Sequence, residues 1–220
     1  MSNYVSPSVS GTGARTLHIS LHAWFRAATG ERQMPRKIWA TSNIDWKKEY
    51  AYWGWLRAQL PDEGVDKAFP DEASCLSRLI EVRWKGEIAC PQCAAENPFN
   101  VSARELWQCR QCDHQFSATS GTLLDNSKLP LKTWFVAAEH IIQNSPHFSK
   151  HKMPPIAEFQ KRVGTHRNTA GRLRRKIYDE LRNNGNQGFL GQLVLTNQLN
   201  PPEDIDFGSP DFYAWQKNSP

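Results

Sequence analysis

Cys90-Pro91-Gln92-Cys93 and Cys109-Arg110-Gln111-Cys112 are two Cys-x2-Cys pairs with fifteen residues between them. Each such turn aims two thiolates at one point, and two turns together close a tetrahedral shell around a zinc ion at Zn–S distances of about 2.3 Å. Four sulfurs leave no position open for water, so the one zinc expected here is structural, and its binding energy contributes to folding rather than to hydrolysis. Two disulfides or a redox Cys-x2-Cys are the other uses of the same spacing. Phe99-Asn100-Val101 and Leu106-Trp107-Gln108 lie between the knuckles, and Gln115-Phe116-Ser117 follows the second; each reads as a short strand. Knuckle, hairpin, knuckle and strand outline a zinc ribbon. His114 is the one nearby histidine that could replace a ligand, but four cysteines already complete the shell.

The flanks of this stretch read as helical. Phe69-Pro70-Asp71-Glu72 opens a helix to about Trp84 with Asp71 as its N-cap and Cys75, Leu76, Leu79, Ile80 and Val82 on its apolar side, which makes Cys75 a buried small residue rather than a ligand. Upstream, Trp39, Trp46, Tyr50, Tyr52, Trp53 and Trp55 crowd a segment whose spacing predicts a helix from Asp45 to Gln59. Its aromatic stripe suits core packing, a protein partner or base stacking. Downstream, Trp134, Phe135, Ala138, Ile141 and Ile142 mark a helix after Leu129-Pro130-Leu131, and a shorter one is expected from Pro155 to Val163. Gly164-Thr165-His166 is a tight turn. A last helix runs from Arg167 to Leu181 and stops at Asn183-Asn184-Gly185. Three helices with a short glycine-containing turn before the last describe a helix-turn-helix.

Charge is concentrated on that last part. The chain carries 27 Lys and Arg against 22 Asp and Glu, a net +5. Between Lys150 and Arg182 alone, ten basic residues face three acidic ones. A local excess larger than that of the whole chain is the footprint of a polyanion; a solvated helix face is the weaker version of the same pattern. At about 100° per residue, Ala170, Leu173, Ile177 and Leu181 form the buried stripe, and Asn168, Arg172, Arg175 and Asp179 lie opposite. Asn168 and Arg172, near the helix start, are the candidates for reading base edges. Lys161, Arg162, Arg174, Arg175 and Lys176 are candidate phosphate contacts, with Arg167 and Thr169 beside them.

Together these stretches resemble the N-terminal half of a family of bacterial insertion-sequence transposases of the DDE type, which begin with a zinc ribbon and a helix-turn-helix. The resemblance rests on Phe69-Pro70-Asp71-Glu72-Ala73, Arg83-Trp84, the two cysteine pairs, Phe116-Ser117, Ser120-Gly121-Thr122, Leu129 to Phe135, Gly164, Asn168-Thr169-Ala170, Arg172 and Lys176-Ile177, over roughly residues 69 to 182. Two positions depart from it: Thr165 stands where the family has an apolar residue, and Gly171 where it has a bulky aromatic. The family continues into a ribonuclease-H-like catalytic domain with metal-holding acids. Here Glu203, Asp204, Asp206 and Asp211 cluster in a Pro- and Gly-containing stretch without alternating strands and helices, so strand cleavage is not expected.

The expected fold class is mainly α with a small β zinc ribbon, followed by a three-helix helix-turn-helix domain. Its expected parts are a flexible segment over 1–38, an aromatic helical extension over 39–68, a helix plus four-cysteine ribbon over 69–128, the helix-turn-helix over 129–184 and an irregular acidic tail over 185–220. The expected function is non-catalytic binding of double-stranded DNA, as a regulator, a transposon-end binder or a targeting subunit. The alternatives are a protein-interaction adaptor that docks through the ribbon and the aromatic helix, or the DNA-binding part of a transposase with a separate catalytic subunit. No apolar run approaches the roughly 18 residues of a membrane span, and residues 1–15 lack a signal-peptide layout, so a cytoplasmic, nucleoid-associated bacterial protein is expected. No Gly-rich phosphate loop or serine-nucleophile motif is present.

Overall fold

In the computed structural model, which describes residues 46–101, 106–147, 153–197 and 199–218, the knuckles bracket an antiparallel sheet of three short strands. These are β1 (Phe99–Val101), β2 (Leu106–Gln108) and β3 (Gln115–Phe116), in the order β1-β2-β3. The register sets Asn100 opposite Trp107 and Trp107 opposite Phe116. Ser117, expected in the third strand, instead gives its N–H to Ser120 Oγ at 2.9 Å and starts a serine-threonine turn. Residues 1–45, including the flexible segment expected over 1–38 and Trp39, lie outside the described residues.

Helices supply the rest: α1 (Trp46–Arg57), α2 (Val65–Ala68), α3 (Glu72–Arg83), α4 (Leu131–Asn144), α5 (Ile156–Val163), α6 (Arg167–Asn184), α7 (Phe189–Val194) and α8 (Pro210–Asn218). Helix α3 begins with a capping box, in which Asp71 Oδ1 accepts the Ser74 N–H at 2.8 Å and Ser74 Oγ accepts the Asp71 N–H at 3.2 Å. Cys75, Leu79 and Val82 are its buried side. The next residue, Glu72, caps a different helix. Its two carboxylate oxygens accept the N–H groups of Leu131 and Lys132, each at 2.9 Å, so α3 satisfies the first turn of α4, where Pro130 has no side chain to do so. Glu72→Ala should therefore cost about 1 kcal/mol. The check is a lower urea midpoint at unchanged slope.

Helices α4, α5 and α6 pack on one another in all three pairings. Gly164 ends α5 in the left-handed region at φ 66°, which allows the chain to reverse and start α6 three residues later. Ala170, Leu173, Ile177 and Leu181 are buried, as the stripe required. Glu139 of α4, also buried, accepts the Val65 N–H at 2.8 Å and pairs with Arg162 at 3.1 Å, which ties α2 and α5 to the same point.

Of the uses left open for the aromatic stripe of α1, core packing is the one Tyr52, Trp53 and Trp55 take, with side chains 5%, 0% and 4% exposed. Trp53 stacks on Tyr178 of α6 with ring centroids 5.3 Å apart, and Trp55 Nε1 donates to the Leu199 carbonyl at 2.6 Å. Tyr52 Oη donates to the Leu181 carbonyl, and Tyr178 Oη donates to Glu49 at 3.2 Å. Burial pushes both tyrosine hydroxyls above their ordinary pKa.

One expectation changes: the described residues 185–197 and 199–218 are not an irregular tail. Gly185–Gln187 form a 3-10 turn, and α7 buries Phe189, Leu190, Leu193 and Val194. Arg78 of α3 donates to the carbonyls of Gln192 and Leu193 at 2.8 and 3.3 Å, closing the end of α7. Gly191 has to be glycine, since a Cβ there would lie 2.0 Å from the Gly185 carbonyl oxygen. Phe212 of α8 is fully buried beside Phe207, whose ring packs on Tyr52 and Trp55. Glu203, Asp204, Asp206 and Asp211 are exposed. The acids are surface decoration on a segment whose apolar residues complete the core around α1.

Candidate metal centre and nucleic-acid interface

The two knuckles are built alike. Cys90 N–H donates to the Ala95 carbonyl and Cys109 N–H to the His114 carbonyl, at 2.8 and 2.9 Å; the Ala94 and Asp113 N–H groups return to the carbonyls of Cys90 and Cys109. Ala94 and Asp113 take the left-handed conformation, at φ 61° and 56°, which turns each chain back after its second cysteine. Gln92 and Gln111 point their N–H groups at the first sulfur of each pair, at 3.4 and 3.3 Å. Burial alone would raise the Cys109 thiol, but the N–H groups of Cys112 and Gln111 outweigh it and bring it down to about 7.

All four sulfurs lie within 4.8 Å of one another, with Cys90 and Cys112 3.7 Å apart and Cys93 and Cys109 3.5 Å apart. A tetrahedron with Zn–S bonds of about 2.3 Å has edges of about 3.8 Å. Cys90, Cys93, Cys109 and Cys112 therefore fit one structural zinc ion. His114 is not among them; its ring stacks on Phe116. Cys75 is fully buried in α3, and burial raises its thiol to about 11.

The ribbon is fastened to the helices by Arg83 and Trp84. The Arg83 guanidinium donates to the carbonyls of Ser117, Ala118 and Ser120 while lying 4.3 Å over the Trp84 ring, and burial lowers its pKa to about 10. Trp84 meets Trp107 edge-on at 5.6 Å and approaches Phe116 at 6.2 Å, so one small aromatic cluster lies under both knuckles.

The basic residues of α5 and α6 divide into two groups. Arg162 turns inward to Asp66 and Glu139, and its hydrogen bond holds the Asp66 carboxyl below the usual range. Arg174 donates to the Pro154 carbonyl, and Lys176 donates to the Leu123 carbonyl at 2.6 Å while sitting 5.4 Å from the Trp134 ring centre. These three fasten the fold to itself. Lys161, Arg167, Asn168, Thr169, Arg172 and Arg175 are exposed. Arg167, Asn168, Arg172 and Arg175 surround a recess of about 430 Å³ completed by Gly171 and by Ile156 of α5. The sequence reading did not include Gly171 and Ile156 in the site. The available signal was a glycine inside an otherwise long-sided helix face, at the position where the resembled family has a bulky aromatic.

Residues 70–115 match the transposase zinc-ribbon domain of the IS1595 family. The chain is also similar to an uncharacterized protein in transposable element ISH50 of Halobacterium salinarum, with 31% identity over 74 residues that make up 32% of this chain. The match spans a quarter of that relative's length. No solved structure matches the chain. Among the described residues, no helix is long and apolar enough to cross a membrane.

Proposed function

We propose that α4, α5 and α6 act as a helix-turn-helix that binds double-stranded DNA, with α6 in the major groove and the zinc ribbon as its rigid neighbour. The observation that carries this reading is the outer face of α6. Arg167, Asn168, Arg172 and Arg175 project from it and, among the described residues, are engaged in no side-chain hydrogen bond or ion pair. Cations left without internal partners on one face are available to phosphates and guanine edges, and an asparagine among them suits adenine. The turn glycine and the buried stripe support the same geometry.

The ribbon match and the relative in a transposable element favour transposon DNA as the target, so end binding or targeting within transposition is the preferred role. We further propose that the chain binds without cutting. Glu203, Asp204, Asp206 and Asp211 are exposed on an α8-bearing segment, and the one group of potential metal ligands among the described residues is the cysteine set. Metal-dependent nicking of a bound duplex by the purified chain would overturn that part.

The binding test is a salt titration of duplex affinity. Combined Arg167→Ala, Arg172→Ala and Arg175→Ala should weaken binding at least about 100-fold and lower the slope of log K against log salt by up to about three. Arg162→Ala and Lys176→Ala should mainly lower thermal stability, because their partners lie within the fold. Equal affinity of the triple variant and the unaltered protein would sink the assignment of this face.

A further inference from the structure

Resting on the reading of α6 as the DNA-contacting helix, we propose that the recess at Gly171 seats the 5-methyl group of a thymine, making Gly171 and Ile156 determinants of sequence preference. Residue 171 lies on the flank of the exposed face that looks toward α5, where it adds no side chain. A Cβ built there would come within 3.3 Å of Ile156 Cδ1, so the Ile156 methyl forms the floor of the recess directly beneath the glycine. Around that floor stand Arg167, Asn168, Arg172 and Arg175. The rim is cationic and polar and the bottom is apolar.

This layout selects its occupant by chemistry. Long basic side chains on the rim reach phosphates and flanking base edges, and they hold the helix in the groove. The floor itself offers no donor or acceptor to a base pair facing Gly171, only the α-carbon and the Ile156 methyl. A cytosine amino group or a purine edge pressed against that floor would lose water without gaining a partner. Thymine is the base that offers an apolar group in the major groove, at the edge nearest its own strand. A bulky residue at 171 would fill the recess and bring its own side chain to the base, so the glycine changes which base pair is preferred while leaving the phosphate contacts in place.

The test begins by selecting preferred duplexes from a random pool with the full chain. Each thymine of the selected site is then replaced singly by deoxyuridine, which removes only the methyl group. One thymine per bound module should respond with a loss of about fourfold, the value of one buried methyl group. In Gly171→Gln, whose polar side chain fills the recess, that thymine should no longer be distinguished from deoxyuridine, while preferences at other positions persist. Ile156→Val, which removes the floor methyl without adding bulk, should shrink the same discrimination and serves if the glutamine variant is poorly folded. The inference is overturned if no thymine responds, if the responding position behaves alike in both variants, or if neutralising a phosphate removes the effect of Gly171 instead. Salt-dependent, sequence-preferring binding alongside any of those results leaves the DNA reading standing. Loss of all duplex binding would remove both.

Discussion

Chelation of zinc is expected to melt the ribbon while leaving most of the helical structure folded. Among its described residues, the segment from Trp84 to Ala118 buries few apolar side chains besides the cysteines, chiefly Trp84, Ala89, Phe116 and Ala118 with Trp107 packed against them. So small a core does not hold a fold without a staple. Structural zinc sites bind with about 10–16 kcal/mol near neutral pH, and that energy is folding energy for the segment around them. The helices contribute most of the core, through residues such as Trp53, Leu79, Phe135, Ile177 and Leu193. Metal analysis should give one zinc per chain. Removing it should shift Trp84 and Trp107 fluorescence to the red with a modest loss of helical signal. Four thiols should become reactive together, while Cys75, buried and with its thiol raised to about 11, should react only after global unfolding. Cys109→Ser should reproduce the apo spectrum. Full reactivity before chelation, or resistance to reduction of two disulfides, would overturn the metal site.

The parts that were legible in the sequence are those fixed by local chemistry. Cysteine spacing located the metal, Asp71 the start of α3, Gly164 the turn, and the 3.6-residue repeat of Ala170, Leu173, Ile177 and Leu181 the buried side of α6. What escaped depends on partners distant in the chain. Arg162, Arg174 and Lys176 look like free cations until Asp66, Glu139 and the carbonyls of Pro154 and Leu123 arrive from elsewhere in the fold. Residues 185–218 look acidic and broken because Pro and Gly interrupt their pattern, yet Leu190 and Leu193 lie on a helix that packs on α3, α4 and α6, and Phe212 meets Phe207, which packs on α1. The recess is illegible for the same reason, since its floor comes from α5 and its gap from α6. Net charge on a segment therefore pointed to one helix but could not show which of its charges the fold itself engages.

Replacement of Trp53 by alanine should cost about 3–5 kcal/mol, the usual loss for truncating a large buried aromatic. At about 2–4 °C per kcal/mol for a chain of this size, the melting temperature should fall by roughly 10 °C. The side chain is fully buried, stacks on Tyr178 and meets Tyr52 edge-on at 5.7 Å, so its removal opens a cavity between α1 and α6. Tyr178 would also lose the wall that holds its hydroxyl on Glu49. The Trp53 Nε1 group is itself buried and, among the described residues, donates to no acceptor. Phenylalanine keeps a stacking ring while deleting that orphan donor, so Trp53→Phe should cost far less than Trp53→Ala. Tyr213→Ala, at a side chain 48% exposed, should change stability by less than about 0.5 kcal/mol and serves as the control. An aromatic docking surface predicts the opposite order. Trp53→Ala would then leave the melting temperature unchanged and abolish capture of a partner, and that result would return α1 from the core to the surface.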